Sequence, residues 1–143
     1  MFRWIAGALA ATLLLGGCAD PEQKLREGAA QSAREAASEV NTTRLVVEQL
    51  RAHRLWSQPA GRMVGDAEKG AEKAASSFAA QQPSTEESRR LYEQTSKSLD
   101  DAETAVTAVR IALGNNDLTA AERQLVVLRQ SATDLDRIGE LAR

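Results

Sequence analysis

Small or apolar residues recur along almost the whole of this chain at alternating steps of three and four, interrupted near the prolines at 21, 59 and 83 and again at 114–117. That spacing brings side chains back to one face of an α-helix, which turns once in about 3.6 residues. No run of alternating β-branched and aromatic residues offers a strand in its place. The chain is thereby confined to an all-α architecture.

The first helix is expected over about 21–54. Asp20-Pro21-Glu22-Gln23 supplies an acceptor at the cap, a proline in the first turn and a glutamine at the third position. Its seam runs through Ala29, Ala33, Ala36, Val40, Thr43, Val47 and Leu50, with the poor helix formers Asn41-Thr42-Thr43 as a weak point. A turn at 55–62 leads to a second helix ending near Ala80, with Val64, Ala67, Ala71, Ala74 and Phe78 in phase. Gln81-Gln82-Pro83 breaks it, and Ser84-Thr85-Glu86-Glu87 reads as a capping box for the third helix. The third seam is Tyr92, Thr95, Leu99, Ala102, Val106, Val109 and Leu113. Gly114 is expected as a left-handed stop, with cap chemistry in Asn115-Asn116-Asp117. Leu118, Ala121, Leu125, Leu128, Ala132, Leu135 and Ile138 mark the fourth helix.

Folded as hairpins, these seams match. Val109 falls opposite Ala121, Ala102 opposite Leu128 and Leu99 opposite Ala132, while Leu50 meets Ala67 and Val47 meets Ala71. Pairing a larger residue with alanine lets facing helices interdigitate. The expected fold is an antiparallel four-helix bundle of helical hairpins with coiled-coil-like packing. The alternative is an extended coiled coil that forms a homo-oligomer, because alanine seams are thin. Helix one would extend about 50 Å against under about 30 Å for helix two. Residues 18–33 are therefore expected either to project as a stalk or to lie beside the end of helix four, with residues 34–143 as the bundle domain.

Residues 1–17 have a different character. A positive start with Arg3 is followed by an apolar stretch from Trp4 to Leu15, shorter than the roughly 20 residues a spanning helix needs. Leu15-Gly16-Gly17-Cys18 then closes the segment with the chain's only cysteine. This stretch resembles the lipobox of bacterial lipoproteins. The resemblance implies an export signal over 1–17, cleavage between Gly17 and Cys18, and a diacylglycerol thioether plus an N-acyl chain such as palmitate on Cys18. The product would be extracytoplasmic, held by lipid to the cell membrane, or to the outer membrane where there are two. Polarity follows: Gln81–Ser84 and Arg143 lie toward the lipid, and the Trp56 and Asn115 turns lie away from it.

Cleavage removes Arg3 from the 18 basic residues and none of the 20 acidic ones, so the remainder is slightly acidic and lacks an overall basic footprint for nucleic acid. His53 is the sole histidine and Cys18 the sole cysteine, which excludes a Cys–His pair within the domain. Leu50 stands three residues before His53, where a di-iron bundle needs glutamate. Asp100-Asp101-x-Glu103 and Asp134-x-Asp136 point their carboxylates in divergent directions on a helix and read as solvated faces. No catalytic residue, metal site or cofactor is expected, and the chain is not expected to be an enzyme.

Arg51, His53, Arg54 and Arg62 surround Trp56, and Arg110 lies near the second turn at the same end. Large apolar residues near bundle ends ordinarily pack, so Trp56 and Leu55 are expected inward, with the arginines complementing helix C-termini. An outward Trp56 among arginines would instead have the composition of a contact hot spot for an envelope protein or an anionic envelope polymer. The expected function is a non-catalytic binding or spacer module in the envelope. The alternative is a carrier of an apolar ligand within the bundle.

Overall fold

A computed structural model describes residues 20–143 as five helical segments: α1 (Pro21–Arg51), α2 (Ser57–Ala79), α3 (Glu86–Gly114), α4 (Leu118–Arg123) and α5 (Leu125–Leu141). The segments α4 and α5 form one arm with a single tightened turn, in which the Gln124 N–H donates to the Ala121 carbonyl at 3.0 Å. Short turns join consecutive helices that also touch along their lengths, which makes an antiparallel four-helix bundle. No strand occurs among the described residues. Residues 1–19, on which the expected export signal, Gly17 and Cys18 fall, lie outside them. No described helix is long and apolar enough to cross a membrane.

The cross-section is a rhombus rather than a square. The helix α1 packs against α2, α3 and α5, whereas α2 and α5 do not touch among the described residues. Alanine explains the short diagonal between α1 and α3. Ala29, Ala33, Ala36, Ala102 and Ala105 are all buried, and side chains ending at Cβ let two helix axes approach closely. Being buried on several sides, α1 needs more than one seam, and the residues beside it are buried too: Ala30 next to Ala29, Ala37 next to Ala36, and Val46 next to Val47. The seams expected on all four arms are buried except at Tyr92, Leu113 and Leu118, which are partly exposed where the helices end.

Phe78 is the largest fully buried side chain. Its ring stacks on Tyr92 with centroids 5.3 Å apart, and the Tyr92 hydroxyl donates to the Ala79 carbonyl at 3.2 Å. This clasp closes the end of the α2–α3 hairpin. The weak point expected at 41–43 is helical like its surroundings, and the buried Thr43 hydroxyl donates back to the Glu39 carbonyl at 2.9 Å. The polar atom is satisfied without breaking the helix.

One choice is decided and three expected details change. Of the two placements open to residues 21–33, the packed one holds: Leu25, Ala29, Ala30, Ser32 and Ala33 are buried, Leu25 lines a cleft together with Leu141 at the end of the fourth arm, and Arg26 bridges to Glu87 on α3 at 2.9 Å. The third helix is long enough to cover the start of α1. Helix α1 ends at Arg51, and α2 already begins at Ser57, so the turn spans 52–56 and not 55–62. Pro59 fits inside the first turn of α2, where the missing N–H would have had no helical partner. The capping box forms one residue later than expected. The Thr85 hydroxyl accepts from the Ser88 N–H at 3.1 Å and the Ser88 hydroxyl accepts from the Thr85 N–H at 2.8 Å, while Glu87 reaches across to Arg26. Finally, Gly114 is the last helical residue, and Asn116 adopts the left-handed conformation with φ of 53°. Asparagine tolerates that region better than most residues.

Candidate functional site

The two turns at the end of the bundle away from Asp20 are built alike. After α1, the His53 N–H donates to the Leu50 carbonyl at 3.0 Å and the Arg54 N–H to the Gln49 carbonyl at 2.9 Å. After α3, Asn116 donates to Leu113 at 3.1 Å and Asp117 to Ala112 at 2.9 Å. Both patterns are Schellman motifs, whose penultimate position is left-handed and normally glycine. His53 fills that position with φ of 56°. Asp117 then caps α4 by accepting from the Ala120 N–H at 2.9 Å.

Directly after the His53 turn the chain presents two large apolar residues, and they part company. Leu55 is half-buried against the core. Trp56, extended at the cap position of α2 with φ of −85° and ψ of 150°, is 84 % exposed. The expectation that both fold inward therefore holds for Leu55 and fails for Trp56.

Around Trp56, Arg51, Arg54 and Arg62 are exposed and make no ion pair among the described residues. Arg110 differs. Its Nε lies 2.5 Å from Glu68 Oε2 on α2, and Thr107 donates to the other oxygen of that carboxylate at 2.8 Å. The hydrogen bond from Arg110 holds the Glu68 carboxyl below the usual carboxylate range, with Thr107 adding to the effect against a partial loss of water. Arg110 thus locks α3 to α2 and does not join the cationic set.

Apolar residues missing from the seams also gather toward this end. Leu45, Met63, Ile111, Val126 and Val127 are exposed, and all lie in the half of the bundle nearer these turns. Each is out of phase with its seam, Leu45 standing two before Val47 and Ile111 two after Val109, so the signal was available in the spacing. Leu141 is the one exposed large apolar residue of the opposite half among the described residues.

His53 itself is exposed. Among the described residues, no three His, Cys, Asp or Glu side chains converge in a group able to hold a metal ion. The acidic runs are spread along helix faces. Asp101 pairs with Lys97 at 2.6 Å and Asp134 with Arg137 at 3.2 Å. Glu103 has its carboxyl raised by partial burial and then by the negative charges of Glu72, Asp100 and Glu68. What remains in that half of the four-helix bundle is an exposed tryptophan, three exposed arginines beside it in sequence, and exposed apolar side chains on each arm. No known protein family, curated protein or solved structure matches this chain.

Proposed function

We propose that this chain is an exported lipoprotein, acylated at Cys18, whose bundle is a non-catalytic binding and spacing module that meets an envelope partner through the Trp56 turn. The observation that carries the reading is an indole 84 % exposed at the end of the bundle opposite Asp20, with Arg51, Arg54 and Arg62 close in sequence, exposed and without ion pairs among the described residues. Exposed tryptophan and arginine are the residue types that dominate binding energy when covered. The 31 residues of α1 would hold that surface about 46 Å from the lipid-bearing end. A protein partner fits better than an anionic polymer, because Met63 and Ile111 add apolar surface that a polyanion has no means to cover.

The test is a photocrosslinking side chain placed at Trp56, and separately at exposed Lys73, in living cells. A discrete adduct is expected at the first position and not at the second, and it should fade when Arg51, Arg54 and Arg62 are changed to Glu together. Equal adducts at both positions, or indifference to the charge reversal, would refute the contact. Cys18→Ser should release the protein from the membrane fraction, and retention there would refute the anchor independently.

A further inference from the structure

At the opposite end, α5 stops at Leu141, and the groove between the first turns of α1 and α3 continues past it as an unfilled cleft of about 210 Å³. Leu25, Leu91 and Leu141 make its apolar walls. Arg26, Glu87 and Arg90 stand at its rim, yet they are already engaged: Arg26 with Glu87 at 2.9 Å, and Arg90 with Glu86 at 3.7 Å. Ser88, also part of the lining, spends its hydroxyl on the capping box.

We infer that this cleft receives the end of an acyl chain, and that the chain is the one borne by Cys18; the inference rests on the acylation proposed above. Three features favour that occupant. Cys18 precedes the cap residue Asp20 by two positions, so their Cα atoms are at most about 7 Å apart whatever path the chain takes. Leu25 lies about 7.5 Å further along α1. A tethered chain is therefore presented at the high effective concentration of a short linker. The second feature is size. At about 30 Å³ for a water-sized group, the cleft of about 210 Å³ holds about seven such groups, enough for the terminal part of a tail and too few for a whole amphiphile. The third is chemistry. With both rim arginines paired to carboxylates, the site suits bare hydrocarbon better than the charged head of a free fatty acid or phospholipid. A tail leaving the bilayer for the cleft exchanges one apolar surrounding for another, while half-buried Leu91 and exposed Leu141 lose their water and buried Leu25 supplies contact only. The drive comes from the protein side.

The native lipidated protein in vesicles of phosphatidylethanolamine and phosphatidylglycerol provides the test, with Leu141 replaced by a diazirine amino acid and irradiation followed by mass spectrometry. An intramolecular link joining the Cys18 lipopeptide to the C-terminal peptide is expected. Gln94→Trp, which fills the cleft from an exposed rim position and leaves the core untouched, should lower its yield at least tenfold, with unchanged circular dichroism as the check on folding. Adducts of phospholipid mass, insertion of water alone, or a link indifferent to Gln94→Trp would overturn the assignment. A Cys18 peptide without acyl chains would be a different result, overturning the anchor itself.

Discussion

His53→Gly is expected to stabilise the bundle although it adds no contact. The residue sits at φ of 56° in a complete Schellman motif, and its imidazole is exposed, so replacing it loses no buried contact. A non-glycine residue in the left-handed region costs about 1–2 kcal/mol. Glycine removes that cost and adds about 0.5–1 kcal/mol of freedom to the unfolded chain. The difference is a net gain of about 0.5–1 kcal/mol, or about 2–5 °C in Tm for a domain of this size. His53→Ala keeps the Cβ that causes the strain and should gain nothing. Asn116→Gly should gain less than His53→Gly, since asparagine already tolerates the conformation. Urea unfolding of the unlipidated domain, with the slope unchanged between variants, measures all three. A gain from His53→Ala equal to that of His53→Gly would refute the backbone argument, as would a loss from His53→Gly.

Ala36 is fully buried in α1, so Ala36→Leu is expected to force the helices apart at a cost of about 1–3 kcal/mol, read as an earlier urea midpoint. Thr95 is also fully buried and its hydroxyl has no hydrogen-bond partner among the described residues, so Thr95→Val should be neutral or stabilise by about 1 kcal/mol, again by urea unfolding. The Glu68 carboxyl is depressed in the folded state, chiefly by the hydrogen bond from Arg110, so the stability it lends is present above the ordinary carboxylate pKa of 4.5 and lost as pH falls through the lower folded value. Stability measured from about pH 6 down to about pH 3 should therefore fall less in Arg110→Met than in the parent, by a modest amount because the pair lies near the surface. An identical acid profile in the two proteins would remove the Glu68–Arg110 bridge from the account.

The antiparallel bundle and the direction of its ends were legible without coordinates, for a physical reason. A seam such as Val64, Ala67, Ala71, Ala74 and Phe78 is a one-dimensional pattern, and helix geometry converts it into a face without reference to any other part of the chain. The cap at Asp20 is local in the same way, since it needs only the first turn of its own helix. The shift of the capping box from Ser84 to Thr85 already shows the limit, because Glu87 had a competing partner, Arg26, far away in sequence.

Other features were decided only when four arms met. Nothing near Trp56 in the sequence distinguishes it from Leu55, its neighbour; only the assembled arms set Leu55 against the core and leave Trp56 outside it. Arg110 looked like a member of the basic cluster until α2 brought Glu68 to it. The second buried stripe on α1 exists because three arms pack on that one helix, and the leucine cleft exists because α5 ends at Leu141 beside the opening turns of α1 and α3. Periodicity along a chain reports which face is buried, whereas pairing, exposure at the ends and unfilled space depend on the relative lengths and spacing of separate helices.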